Sequence, residues 1–496
     1  MVRRFTAALL AFAASAFAAE EIDAQVRRFT EAWALVEREN ADPVTSEKAF
    51  YEGAIPGLLR RLDPHSVFFD PGQFDQLKQM QTSTRKGFGC VVSVLPGRVI
   101  ILQTLPGTPS ARSGIAPGDE IAGINGYSVN RLDIEQLVAL LGQSRQQPAQ
   151  LDVRRPGNAR ILNFVLTPEE MQSPSVERAF LLRPGVGYLR VASFDEKTGA
   201  EVKDAIEKLG GHGLKGLVLD LRNNPGGVLP AALRTAALFL KPGLKVLTVR
   251  GRSVAEKEER VPANNQPYEF PVSVLINGRS ASSSEIVAGA LQDHDRATVV
   301  GEPSFGKGLV ESVFPLSDNA GLALTTALYY TPSGRSIQKP LDSAQFALAG
   351  ATSGPSQRLE FKTSGGRTVM GGGGILPDRV VFPPPPSRLR IVLDASGSFT
   401  SFATAYTQTH PKPGEEFEIT PGLLDEFQVY LSQRNIRPGV ADWSTERDFI
   451  GNRLKTEIFN QSLGVEKGDE VEAQRDVQVL RAIASLAEPL AGAPKP

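Results

Sequence analysis

Cysteine and histidine are scarce in this chain of 496 residues, which has one cysteine, Cys90, and four histidines. A single thiol excludes an intramolecular disulfide, so stability has to come from packed cores, for which 41% hydrophobic residues are ample. Histidines this few and scattered, with one cysteine, give no ligand cluster of metal-binding spacing, and no metal or other cofactor is expected. An excess of either charge is also missing. There are 54 basic and 55 acidic residues, for a net charge of -1, and the basic ones are dispersed, which argues against a nucleic-acid binder. A long apolar run is missing too. The N-terminal stretch MVRRFTAALLAFAASAFAAE is too short for a comfortable membrane span. It sets Arg3 and Arg4 before a brief apolar segment and ends on Ala16-Phe17-Ala18, an A-x-A cleavage pattern with no lipoprotein-type cysteine after it. Residues 1–18 are therefore expected to be a signal peptide and the mature chain to be exported to a periplasmic or extracellular space. Retention of the segment as an anchor, which would keep the protein near a membrane, is the alternative.

What the chain does have is concentrated in residues 271–311. PVSVLI is an apolar run of strand length, Asn277-Gly278 breaks it, and SSSEIVAGALQD places Ile286, Val287, Ala290 and Leu291 at helical spacing. The serines thus fall at a strand-to-helix turn, where free N–H groups and the positive end of a helix favour negative charge developing on oxygen. Two readings are open. Ser282-Ser283-Ser284-Glu285 fits the S-x-x-E capping box, in which the hydroxyl merely satisfies the first helical turn; in the other reading one of these serines is a nucleophile. The second reading needs a base. Lys307, in Phe305-Gly306-Lys307-Gly308, follows a second buried-type strand, Ala297 to Val300, able to return beside the first. With an unperturbed pKa of about 10.4, a lysine accepts a proton near neutrality only when desolvated, and Phe305, Leu309 and Val310 are the apolar neighbours available for that. A surface turn is the plainer fate of a lysine between glycines.

Two rival chemistries fit less well. Gly301 to Lys307 has the G-x-x-x-x-G-K spacing of a phosphate loop, but Gly308 stands where a Ser or Thr should hold magnesium, and LVESVFPL continues as a strand. A Ser-His-Asp triad drawing on Asp293 and His294 lacks a G-x-S-x-G elbow, and adjacent residues on a helix point in different directions.

NGRSASSSEIVAGALQDHDRATVVGEPSFGKG resembles the catalytic segment of the C-terminal processing peptidases, or tail-specific proteases, which use a Ser/Lys dyad. The resemblance implies Ser282 as nucleophile, Lys307 as base and Asp293 as a supporting, structural residue, with Ser280, Ser283 and Ser284 as neighbours. Upstream, Arg222-Asn-Asn-Pro-Gly-Gly227 follows a buried-type strand; such a glycine turn exposes backbone N–H groups, although on shape alone it is simply a turn. RNNPGG is a hallmark of the same family, which implies an oxyanion hole from the N–H of Gly226 or Gly227 with that of Ser283. The family usually has Gln four residues after the lysine, where this chain has Glu311. A carboxylate in contact with Lys307 would favour its protonated form and weaken it as a base.

Around this segment the chain reads as a multidomain α/β protein. Residues 19–82 are helical in pattern, with Phe29, Trp33 and Val36 on one stripe and Phe50, Ala54, Leu58 and Leu59 on another, ended by Asp63-Pro64-His65-Ser66. The resemblance makes His65 scaffold and these helices a surface that joins protomers into a homo-oligomer. Residues 83–170 are β-rich, and Ser110 to Gly126 resembles the PDZ pattern. A PDZ domain adds an extended peptide as a strand and captures its C-terminal carboxylate on the N–H groups of a glycine-rich loop, here Gly87, Phe88, Gly89 and Cys90. A plain hairpin entry is the other reading of these glycines. In PDZ-gated relatives an arginine near the end of the PDZ helix couples the two sites; Gly142 stands there, with Arg145 three residues on.

Residues 175–382 alternate strand and helix signals and are expected to form the protease core. Within them a Gly-rich insertion of roughly 35 residues, between TPSGRSIQ and GILPD, is read as a flap or a solvated loop. Pro383 to Pro386 mark a linker, and the extension to residue 496 reads as charged amphipathic helices with no assignable chemistry. The sequence therefore predicts an exported serine endopeptidase that holds the C-termini of protein or peptide substrates on a PDZ domain and cuts with Ser282 and Lys307. Its rival is a peptide-binding scaffold on a protease-like core that Glu311 has weakened.

Overall fold

The computed structural model describes residues 22–81, 84–340 and 359–488, so the expected signal peptide lies outside the described residues. The chain divides into two compact units. In the smaller, whose described residues are 22–74 and 311–325, a helix spans 22–39 and shorter helical segments span Lys48–Ala54 and Ile55–Leu59. The two apolar stripes meet through Phe50, whose ring lies 5.5 Å from Phe29 and 5.7 Å from Trp33. Asp63 closes the DPHS turn by accepting the N–H of His65 (2.7 Å), the N–H of Ser66 (2.8 Å) and the Ser66 hydroxyl (2.7 Å).

The larger unit begins with the β-rich module. Strands β1 (Cys90–Leu95), β2 (Arg98–Thr104), β3 (Glu120–Ile124), β4 (Ala149–Arg154) and β5 (Ile161–Leu166) lie side by side in that order, all antiparallel. Helix α1 (Ile134–Ser144) starts at a capping box, Asp133 with Gln136, and buries Leu137 against Val99, Ile101, Ile124 and Val153.

The central sheet follows from runs that are apolar without alternation, the mark of parallel strands covered on both faces. Its order is β6 (Val176–Arg183), β7 (Val186–Val191), β8 (Gly216–Asp220), β9 (Val272–Ile276), β10 (Ala297–Gly301) and β11 (Arg379–Val380); the first pair is antiparallel and the others parallel. Successive residues on these strands face opposite ways. Leu217, Leu219, Val274 and Val299 pack with the helices between strands, among them α2 (Thr198–Leu209), α3 (Leu229–Ala237) and α4 (Ser283–Asp293). Val218, Leu275 and Val300 instead meet Val479 and Ala482 of the C-terminal extension.

That extension is no appendage beyond a linker. Helices α5 (Arg388–Ala395), α6 (Ser398–Thr409), α7 (Pro421–Ser432), α8 (Val440–Ser462) and α9 (Val465–Ala473) share a core around Phe402, Phe427, Leu454 and Ile458. Helix α10 (Val477–Ser485) supplies the second cover of the central sheet, fixed by the Ser273 hydroxyl donating to Ala482 O at 2.9 Å. The same extension grips the β-rich module, where Arg98 donates to the Ser401 hydroxyl (2.6 Å) and the Val465 N–H donates to Gln103 (3.0 Å).

The insertion read as a flap or a solvated loop is, over its described part, a tethered hairpin. Glu360–Lys362 and Thr368–Met370 form a hairpin, Ser364 donates its N–H to Asp293 O, and Arg367 is paired with Asp295 and Asp378 at 2.5 Å each. Arg367, bound to Asp295 and to Gln292 O, and the Ser364 N–H tie it to the C-terminal end of α4, and Val369 is buried, which a polar, Gly-rich composition does not reveal. No described helix is long and apolar enough to cross a membrane.

Candidate active site

Because β8, β9 and β10 run parallel, the segments that follow them, 221–227, 277–282 and 302–307, all leave the sheet at the same end. Ser282 lies where β9 turns into α4, with φ +53°, a left-handed conformation that is strained for a residue bearing a side chain. Of the four serines in this turn, three are buried and their hydroxyls are committed. Ser280 donates to Leu221 O (2.8 Å), Ser283 to Gly227 O (2.9 Å) and Ser284 to Asn224 O (3.0 Å). These bonds rivet the RNNPGG turn to the serine turn. Ser282 is the one of the four that is partly exposed.

Glu285, 0% exposed, organises what surrounds Ser282. Its Oε2 accepts the N–H of Ser282 and the N–H of Lys307, each at 2.9 Å; its Oε1 accepts the N–H of Gly306 at 2.7 Å and a short bond from the Ser304 hydroxyl. The Ser304 oxygen in turn accepts the N–H of Ile375 at 2.6 Å. Burial pushes the Glu285 carboxyl up, and the four hydrogen bonds pull against that rise. At the carbonyls of the same two residues, the buried Tyr329 hydroxyl reaches Lys307 O (3.0 Å) and Ser282 O (3.3 Å). Its phenol is held well above the usual range by burial and then by the Glu285 charge. Ser282 and Lys307, 25 positions apart in the chain, are thus fastened to the same two groups. Lys307 is half-buried; of the apolar neighbours expected around it, Leu309 is buried and Phe305 about half exposed.

The glycine turn sits against the serine. A Cβ added to Gly226 would lie 2.8 Å from Ser282 Cβ and 2.9 Å from Ser283 N, and one added to Gly227 would strike Phe194 O at 1.8 Å, so glycine is required at both places. The Gly226 N–H is turned into its own loop, donating to Asn224 Oδ1 at 2.8 Å. That narrows the joint expectation for Gly226 and Gly227, since a donor already satisfied by Asn224 is not aimed at a substrate. The N–H groups of Gly227 and Ser283 make no hydrogen bond to another described residue.

The other expected residues fall elsewhere. Asp293, at the far end of α4, accepts Arg335 (2.7 Å), the Thr331 hydroxyl (2.5 Å) and the Ser333 N–H (3.0 Å), locking the TPSGR turn. His294 is engaged with Lys245 O (2.7 Å) and the Ser364 hydroxyl (3.2 Å), and it flanks α4 at the end opposite Ser282, about 18 Å along the helix axis, too far for a triad. Glu311, in the smaller unit, has its carboxylate 4.0 Å from His65 Nδ1. Sequence reasoning missed Tyr329 altogether and treated Glu285 as a cap alone. The S-x-x-E pattern was the signal for Glu285, because the carboxylate that caps the helix is the one that holds Lys307.

Residues 77–154 match the PDZ domain and residues 185–342 match peptidase family S41. The carboxy-terminal-processing protease of Bartonella bacilliformis is 38% identical over 324 residues, covering 63% of this chain and 73% of that protein. The chain belongs to the carboxy-terminal-processing protease family. The carboxyl-terminal-processing protease of Synechocystis is 36% identical over 314 residues, with 62% of this chain and 73% of that one covered. Carboxy-terminal processing protease CtpB of Bacillus subtilis is 31% identical over 329 residues, with 66% and 68% covered. The chain is accordingly a serine-type peptidase with a PDZ domain, and its substrates are proteins or peptides.

In the PDZ domain the carbonyls of Phe88 and Gly89 are turned inward, accepting the N–H groups of Ser110 (2.9 Å) and Leu105 (2.8 Å). The Phe88 side chain belongs to the domain core, and Gly89, with φ +76°, packs where a Cβ would strike Thr108. Burial raises the Cys90 thiol, so it is a poor nucleophile. Strand β1 is paired on one side by β2 and ends the sheet order, next to α1. At Gly142 a Cβ would meet open space.

Proposed function

We propose that this protease cuts with a Ser282/Lys307 dyad. Ser282 Oγ attacks the scissile carbonyl carbon while neutral Lys307 takes the hydroxyl proton; the carbonyl oxygen becomes an oxyanion held by the N–H groups of Gly227 and Ser283. Collapse expels the amine, which leaves with the proton from Lys307, and water hydrolyses the acyl-enzyme with Lys307 again as base. The observation that carries this reading is the double fastening of Ser282 and Lys307 to Glu285 and Tyr329. Two residues gripped by their backbones at shared points keep a fixed separation, which pre-orients the pair for reaction.

The PDZ domain is proposed to take a substrate C-terminus as a strand beside β1, with the carboxylate on the N–H groups of Gly87 to Cys90. Asp293 is proposed to support the site structurally, by locking the TPSGR turn at the far end of α4. Export is proposed from the N-terminal sequence, and a homo-oligomer from the exposed apolar row Ile22, Val26, Phe29 and Val36 on the 22–39 helix.

Turnover of an unstructured protein with an apolar C-terminus tests the dyad. Ser282→Ala and Lys307→Arg, the latter keeping the charge but unable to release a proton, should each lower kcat by at least about a thousandfold. Cleavage retained by Ser282→Ala sinks the assignment. Peptide binding without turnover by the wild type anywhere from about pH 6 to 10 favours the scaffold.

A further inference from the structure

Arg222 opens the turn that carries Gly226 and Gly227, and its guanidinium is gripped from two directions. Nη2 donates to Asp220 Oδ2 at 2.6 Å and Nε to both Asp220 oxygens at 3.0 Å. Nη1 donates to Asp476 Oδ2 at 2.6 Å and to Gln478 Oε1 at 2.8 Å. Both of these acceptors belong to the start of α10, more than 250 positions downstream. They are themselves fixed. Asp476 Oδ1 caps α10 through the N–H groups of Gln478 (2.8 Å) and Val479 (3.2 Å), and buried Gln478 donates to Val381 O (2.7 Å) and Glu302 Oε1 (3.3 Å).

Holding α10 on the sheet does not require this. Val479 and Ala482 already bury an apolar face there, and a half-buried cation between two carboxylates is a weak source of net stability. What the arrangement does is fix a backbone. The Arg222 N–H donates to Asp220 Oδ1 at 2.9 Å, Asn223 N–H to Asn277 at 3.0 Å, and Ala281 N–H to Asn224 O at 3.0 Å, so the guanidinium is anchored at the root of the turn that touches Ser282. Burial opposes the Arg222 charge, and the carboxylates of Asp220 and Asp476 outweigh it, holding the guanidinium protonated.

Resting on Ser282 as nucleophile, we propose that Asp476 and Gln478 are positioning residues of the active site: through Arg222 they set the 222–227 turn so that the Gly227 N–H faces the oxyanion. The C-terminal extension is then part of the catalytic unit.

Asp476→Asn tests this in the full chain, because Asn caps a helix as well as Asp while removing the charge on Arg222. The variant should lose about tenfold or more in kcat at unchanged KM, since small misplacements of a transition-state donor are costly. A peptide aldehyde, whose adduct with the serine places an oxygen in the oxyanion position, should lose affinity by the same factor. Uncut peptide should bind Ser282→Ala and Ser282→Ala/Asp476→Asn equally. Arg222→Lys should behave like Asp476→Asn, and the double variant should be no worse than the weaker single, because the two act through one contact. Unchanged kcat and aldehyde affinity, a loss of uncut-peptide binding equal to the loss in kcat, or additive single effects would each overturn the proposal. The split between kcat and KM reads Asp476 whichever serine attacks, so a failure of the Ser282 assignment shows separately, as cleavage by Ser282→Ala.

Discussion

Helix α4 carries a buried carboxylate near each end, and the two are satisfied differently. Glu285, in the first turn, accepts three backbone N–H groups and one hydroxyl, all neutral donors. Asp293, the last residue, is paired with the guanidinium of Arg335, and both side chains are 0% exposed. The start of a helix offers N–H groups and positive potential, so a carboxylate can be buried there on neutral donors; the end offers carbonyls, so a buried carboxylate there needs a cation. The difference decides what each does. The donors on Glu285 are three backbone N–H groups and a hydroxyl, and its acceptor capacity goes to ordering the backbones of Ser282 and Lys307. Asp293 and Arg335 neutralise each other and lock a turn.

Replacing each carboxylate by its amide should therefore separate rate from stability. The largest effect on turnover is expected from Glu285→Gln: a single amide oxygen replaces two carboxylate oxygens, and the new NH2 faces N–H donors. Turnover should fall by about a hundredfold or more, with about 1–3 kcal/mol of stability. Stability should also lose a pH dependence. Burial holds the folded-state Glu285 carboxyl above its ordinary value of 4.5, so the folded chain binds this proton preferentially. The stability it contributes is fully present below the unfolded value and is lost as pH rises through the folded value. The difference in Tm between wild type and Glu285→Gln should be largest in acid and shrink toward neutrality; a difference that grows with pH would refute the account of Glu285. At the other end of the helix, Asp293→Asn leaves Arg335 as an unpaired buried cation and should cost about 3–5 kcal/mol, read by denaturant unfolding, while kcat per folded molecule stays within about threefold. A rate loss in Asp293→Asn as large as in Glu285→Gln would erase the contrast.

How far the sequence disclosed this site depended on whether an interaction is local. The strand–turn–helix around Ser282, the glycine turn and the PDZ pattern are each written in consecutive residues, and so is the capping box that identifies Glu285. The grip of that same carboxylate on Gly306 and Lys307 depends on β10 returning beside β9, a long-range fact that no spacing encodes. The extension illustrates the limit better. Its amphipathic helices were legible, but amphipathicity says only that a face is buried and not against what. The central strands held half of the answer: Val218, Leu275 and Val300 leave a second apolar face that some element has to cover. Asp476 as the partner of Arg222 could not be read, since one acidic residue among 55 carries no mark of its distant contact.

Tyr329 provides the finest test of the two-ended picture, because its hydroxyl fastens the same pair of backbones as Glu285 but from the carbonyl side. Tyr329→Phe keeps the buried ring and deletes one donor. The loss should be small for a definite reason: Ser282 O still accepts the Ile286 N–H at 2.9 Å as part of the helix, so the bond from Tyr329, at 3.3 Å, is its second. Lys307 O loses a closer donor, at 3.0 Å, so most of the effect should fall on the lysine. About 1 kcal/mol of stability and a few-fold drop in kcat are expected. Combined with Glu285→Gln, the rate losses should be less than multiplicative, since once either fastening is gone the separation of Ser282 and Lys307 is already relaxed. Fully multiplicative losses would mean that Glu285 and Tyr329 act on different features of the site, and that the shared fastening is not what holds the dyad together.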